Sequence, residues 1–106
     1  MVGISDTPAK DFDQSQWQTD KVGRFQMAGD IIKSKMLIGR DTNQVKQLLG
    51  DPTWRSDSTY QEELKNSWFY DMGMGAGGLG VVFHTLSMKF DNNKKVVAIK
   101  HSKMQD

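Results

Sequence analysis

Along this chain the spacing of apolar residues changes period, from roughly 3.6 residues in the first half to roughly 2 in the second, the signatures of helix and strand. The helical signal is sharpest between Leu37 and Pro52, LIGRDTNQVKQLLGDP, where Val45, Leu48 and Leu49 fall at i, i+3 and i+4 and make one apolar stripe. Asp41 is placed to cap the first turn, and Gln44 three residues on completes a capping-box pattern. Gly50 tolerates a left-handed backbone after the last turn, and Pro52 stops the helix and sends the chain out extended. A helix of about nine residues is marginal alone in water, so its stripe has to be covered by the rest of the chain.

Upstream, Phe25, Ala28 and Ile32, flanked by Met27, Ile31 and Met36, predict the longest amphipathic helix, from Arg24 to Met36, with Gln26, Asp30, Lys33 and Lys35 on its wet side. A first helix is predicted to start at Asp13, where Phe12 and Trp17 occupy the two positions of a hydrophobic staple and Gln16 lies three residues past the cap. Gly23 interrupts any longer helix. Gly39 closes the link to the capped helix, which predicts an antiparallel or V-shaped pair. Residues 1–11 are polar and aperiodic and read as a flexible tether ahead of one domain, 12–106.

After Pro52, Trp54, Ser56, Ser58 and Tyr60 share one face of a predicted strand, and 61–66 is a polar turn. Trp68, Tyr70 and Met72 alternate with Ser67, Phe69 and Asp71 in a second strand. The glycine-rich tract GMGAGGLG, 73–80, reads as a mobile hairpin loop, and beyond it Val82, His84, Leu86, Met88 and Phe90 alternate with Val81, Phe83, Thr85, Ser87 and Lys89. DNNKK is turn chemistry in which Asp and Asn tolerate positive φ. The last strand is read as ending at Ile99, with HSKMQD fraying. Helices first and strands after predict an α+β fold, two N-terminal helices packed on one face of a three- to four-stranded antiparallel sheet. Trp54, Trp68, Tyr70, Leu86, Met88 and Phe90 are expected to meet Ile31, Ile32, Val45, Leu48 and Leu49 in the core, each large buried side chain contributing about 1.5 to 3 kcal/mol.

A chain of 106 residues is one domain by size, and its 37% apolar content supports a modest core. Fourteen basic and 13 acidic residues, well mixed, give a net charge of +1, which offers nothing to a nucleic acid. Without cysteine there are no disulfides, thiolate nucleophiles or sulfur-ligated metals. No apolar run reaches the ~20 residues that span a bilayer, and the first residues contain no signal-peptide core, so the expectation is a cytosolic chain or one whose targeting segment is absent.

Candidate chemistry is sparse. Gly73, Gly75 and Gly78 satisfy G-x-G-x-x-G, but dinucleotide binding needs a helix N-terminus directly after and an acidic residue about 20 positions on, and VVFHT continues as strand instead. His84 and His101 lack metal-ligand spacing; a hydrogen-bonded, partly buried His84 is the plain expectation, with a proton-switch role as the sharper one. No nucleophile turn or paired carboxylates point to catalysis, and no cofactor is expected. If the helices cover the face of Trp68, Tyr70, Leu86 and Phe90, the other face shows Phe69, Val81 and Phe83 with either Val97 and Ile99 or Val96 and Ala98. A contiguous apolar patch of that kind is covered by loops, by the N-terminal lead-in or by a second copy, or it binds a partner. The candidate partner-binding residues are Phe69, Gly75, Gly77, Val81, Phe83 and His84.

The order L-I-G-R-D-x-x-Q-V-x-x-L-L-G-D-P after R-x-x-M-x-x-D-I-I, then W-F-Y-D-M-G and L-S-M-K-F-D-N-N-K-K-V-V, resembles the BamE-like (SmpA/OmlA) small bacterial envelope lipoprotein domain over residues 12 to 101. That resemblance implies two helices on a three- or four-stranded antiparallel sheet, no catalytic residues, and a supporting role in outer-membrane protein assembly. It further implies a periplasmic, outer-membrane-associated location, with an outer-membrane or envelope protein as partner. Membrane attachment would come only through an acylated N-terminal cysteine, which this sequence lacks. The same build also resembles β-lactamase-inhibitor repeats, which implies an alternative function: blocking an enzyme through the 73–80 segment.

Overall fold

The computed structural model describes residues 9–56, 65–77 and 80–105. The tether expected at 1–11 lies outside the described residues as far as residue 8. By residue 10 the chain is already tied in, since Lys10 N donates to Gln26 O at 2.9 Å.

Helix α1, Gln14–Thr19, is capped by Asp13, whose carboxylate accepts from Gln16 N at 2.9 Å. The staple forms as its spacing predicts, with the Phe12 and Trp17 rings 6.3 Å apart. A 3₁₀ helix, Lys21–Met27, follows and is capped by Asp20, which accepts from Gly23 N. A side chain at Gly23 would meet that carboxylate, its Cβ falling 2.6 Å from Asp20 Oδ2. Helix α2, Ala28–Ser34, takes over from the 3₁₀ turn and ends at Lys35, which adopts φ 57°. The long regular helix expected between Arg24 and Met36 is therefore a 3₁₀ segment joined to two α-turns.

Helix α3, Thr42–Leu49, realises the capping box in full: Gln44 N donates to Asp41 Oδ1 at 2.9 Å and Asp41 N donates to Gln44 Oε1 at 3.0 Å. Its C-terminal end is held by α1, because Trp17 Nε1 donates to Leu49 O and the Gln14 and Gln18 amides donate to Gln47 O.

Four antiparallel strands follow in the order β1-β2-β3-β4: Trp54–Ser56, Ser67–Gly77, Gly80–Phe90 and Val96–Gln105. The fold is α+β. The part of the first strand expected over 57–60 lies outside the described residues. The described part of the glycine tract is strand rather than loop, and residues 78–79 lie outside the described residues. Gly73 to Gly77 complete β2 and Gly80 opens β3, in register as Gly75↔Val82, Ala76↔Val81 and Gly77↔Gly80. Because β3 is thereby lengthened, it offers pairing positions as far as Val82, and the C-terminal segment expected to fray fills them as β4, out to Val82↔Gln105.

Two bulges set which side chains face inward. Asp71 pairs with Thr85 and Met74 with Phe83, so Met72 and Gly73 together stand opposite His84; Gly73 takes φ 96° and its N–H donates to Asp71 Oδ1. At the other end Phe90 pairs with Val96 and Lys89 with Ala98, which leaves Val97 as the extra residue. Val96 is buried and Ile99 packs against the core, whereas Val97 is 52% exposed, so neither pairing expected for the open face, Val97 with Ile99 or Val96 with Ala98, is the one found. In the turn before it the positive φ falls on Lys94 rather than on Asn92 or Asn93.

Trp17, Met27, Ala28, Ile31, Val45 and Leu49 of the helical segments form one buried cluster with Tyr70, Met72, Leu86, Met88, Phe90 and Val96 of the strands. One expected member differs: Trp54 is 47% exposed and stacks on Phe69, whereas Trp17, not among the expected core residues, is fully buried.

Candidate functional site

The six candidate residues separate onto the two sides of the sheet. Phe69, Val81 and Phe83 occupy exposed-side positions, whereas His84 is buried and Gly75 lies beside it on the inner side. Gly77 is the Cα partner of Gly80 at the closing end of the β2–β3 pair.

On the exposed side the register lays out rows of neighbours. Trp54, Phe69, Ser87 and Lys100 form one row, and Asp71, Thr85 and Ser102 the next. Met74, Phe83 and Met104 form a third, with Val81 beyond. The apolar surface is therefore divided. Trp54 and Phe69 stack with ring centroids 5.2 Å apart at one end. At the other end Met74, Val81, Phe83 and Met104 are 52%, 41%, 39% and 72% exposed. Hydroxyls, a lysine and the Asp71 carboxylate lie between, and an open depression of about 470 Å³ runs past Phe69, Ser87, Lys89, Ala98, Lys100 and Ser102. Met74 and Met104 carried no sequence signal of this role: Met74 reaches the exposed side only through the bulge at Gly73, and Met104 only because β4 extends beyond Ile99.

On the inner side His84 lies flat against Phe25, centroids 4.4 Å apart and planes 10° from parallel, and its Nδ1 is 2.9 Å from His101 Nε2. One ring supplies the proton of that link and the other its lone pair. Burial lowers the pKa of both rings; neighbouring Lys103 lowers His84 further, and His84 and then Lys103 lower His101 further. Gly75 leaves room for this stack, since a Cβ there would fall 3.3 Å from His84 Nε2 and 3.5 Å from Phe25 Cζ. Among the described residues no group of three or more His, Asp or Glu side chains converges on a point where a metal ion could be held. The arrangement suits proton sharing and packing.

Arg24 is buried at the join between the helices and β2. Its Nε donates to Trp17 O at 2.7 Å and its Nη1 to Asp71 O at 3.2 Å, with the guanidinium 4.7 Å above the Trp17 ring. No helix of the described residues is long and apolar enough to cross a membrane. No protein-family model, curated protein or solved structure matches this chain.

Proposed function

We propose that this chain is a non-catalytic interaction domain of the bacterial cell envelope, of BamE-like build, with its helices layered on one face of the sheet and the other face turned toward a protein partner. The observation that supports this reading is the group Met74, Val81, Phe83 and Met104, four apolar side chains exposed together on one side of three adjacent strands. Exposed apolar side chains scattered singly are ordinary; a group held together by strand register has more to gain from being covered. The partner is an envelope or outer-membrane protein, and the location periplasmic, by the resemblance of the capped helix and strand motifs.

Replacing Phe69 and Phe83 with serine tests the reading. Both side chains sit on the exposed side, so melting and far-UV circular dichroism should change little while capture of an envelope partner, identified and then reconstituted from purified components, falls about tenfold or more. Equal partner capture by the double variant would overturn the reading. A second reading draws on the same hairpin: insertion of its Met74 and Val81 end into the cleft of an enzyme. Shortening the hairpin by residues 77–80 would then abolish inhibition while partner capture through Phe69 survives.

A further inference from the structure

The sheet order leaves β4 at an edge. Among the described residues only its start is sealed: Val96 N donates to Arg40 O and Gly39 N donates to Val96 O, both at 2.9 Å. Over 97–105 the backbone groups turned away from β3 have no partner among the described residues. At roughly 3.3 Å per residue this open row is about 30 Å long, enough for a whole additional strand. The opposite edge is β1, described over Trp54–Ser56, against Ser67 to Phe69 of β2.

The charge along the open edge has one sign. Over the open row, 97–105, the sequence holds Lys100 and Lys103 and no acidic residue. Both lysines are exposed, and neither is in an ion pair among the described residues. Lysines on an edge strand discourage pairing with an identical edge, because an antiparallel second copy would bring the same cations back across the new ladder. The same charges favour a strand of opposite sign, and the main-chain groups then supply hydrogen bonds that do not depend on side-chain identity. Val97 and Met104, 52% and 72% exposed near the two ends of the row, offer apolar contact to a segment lying along it.

We propose that the open edge of β4 takes up an extended, net acidic segment of a partner protein as a fifth strand. This deepens the adaptor reading, on which it rests for the existence of a protein partner, by naming where the partner's backbone is held and what charge it carries.

The test uses the full chain, isotopically labelled, with three blocked peptides of about nine residues that alternate valine or threonine with glutamate, glutamine or lysine. The glutamate peptide should shift the amides of 97–105 and slow their hydrogen exchange. It should bind about tenfold or more tightly than the glutamine peptide and weaken similarly in high salt. The lysine peptide should leave the edge unchanged. Lys100→Glu/Lys103→Glu should reverse the order of the glutamate and lysine peptides; melting and far-UV circular dichroism check that this variant is folded, and Lys100→Gln/Lys103→Gln, which should bind the glutamate and lysine peptides alike, serves in its place if it is not. Phe83→Ser, which probes the exposed face, should take up the glutamate peptide as the wild type does, so the two readings fail separately. Shifts scattered over lysines without slowed exchange in β4 would overturn the proposal, as would equal affinity for the glutamate and glutamine peptides. Protection of 97–105 that grows with protein concentration in the absence of peptide would overturn it too, because a second copy would then be the occupant.

Discussion

His84 Nδ1 and His101 Nε2 share a hydrogen bond of 2.9 Å across two neighbouring strands, under the ring of Phe25. Two rings at this distance accommodate one proton between them; a further proton leaves two donors and a positive charge in a buried place beside Lys103. Both folded pKa values accordingly lie below the ordinary 6.5.

The sign of the pH dependence follows. A histidine with a lowered folded pKa binds protons more readily when unfolded, so its contribution to stability is complete above about 6.5 and is lost as pH falls below that value. Denaturant unfolding from pH 8 to pH 5 should show this loss in the wild type and a smaller one in His101→Gln, which removes one titrating ring. Parallel curves for the two proteins would place the acid sensitivity elsewhere, in the carboxylates.

Gly75 is the floor of the same stack. Gly75→Ala keeps an ordinary backbone but sets a methyl 3.3 Å from His84 Nε2, tighter than a relaxed contact, so His84 or Phe25 has to move. The expected loss is about 1 kcal/mol, with the His84 and His101 proton resonances displaced. An unchanged melting temperature would mean that the stack yields freely.

Buried Arg24 binds the helices to the sheet through two carbonyl oxygens. Burial lowers its pKa, with Asp71 the largest opposing influence. Arg24→Ala leaves Trp17 O and Asp71 O without this donor and removes the aliphatic stem, at an expected loss of about 2 to 3 kcal/mol. Arg24→Lys should recover less than half, since an ammonium cannot reproduce donation from both Nε and Nη1 at that separation. Full recovery by lysine in denaturant unfolding would show that the charge matters more than the fork.

Sequence legibility follows the range of the rule involved. The capping box at Asp41 and Gln44 and the staple of Phe12 on Trp17 depend on residues three to five apart, and both form as read. The alternation from His84 to Phe90 is legible because one side of that strand is buried throughout. Bulges are not legible in this way: an extra residue at Gly73 or Val97 shifts the phase of everything beyond it, and alternation alone does not say where. The end of β4 has no apolar phase at all, since Lys100, His101, Ser102 and Lys103 are polar on both sides; its pairing comes from β3. Trp54, expected in the core, is exposed, and Arg24 is buried, both for tertiary reasons: an aromatic partner on the exposed side holds the one, and two carbonyls beneath a tryptophan hold the other. The candidate site inherits the same division. Phe69, Val81 and Phe83 could be assigned to one face, whereas Met74 and Met104 depend on register.

Tyr70 closes the other end of the helix-to-sheet contact, where its hydroxyl donates to Gly50 O at 2.8 Å, next to the bond from Trp17 Nε1 to Leu49 O at 3.1 Å. Together they anchor the C-terminal turn of α3 to α1 and β2. Tyr70→Phe should cost about 1 kcal/mol at neutral pH. Burial, and secondarily Asp51, push the phenol of Tyr70 well above its ordinary pKa of 10.0. The neutral form is thus the one the fold retains, and its contribution to stability is complete below pH 10 and lost as pH rises beyond it. Wild type should therefore lose stability between about pH 10 and 11.5 more steeply than Tyr70→Phe, while absorbance at 295 nm shows Tyr70 ionising only as the chain unfolds. An early, reversible ionisation of both tyrosines with the fold intact would mean that water reaches the hydroxyl and that the tie to Gly50 is weak.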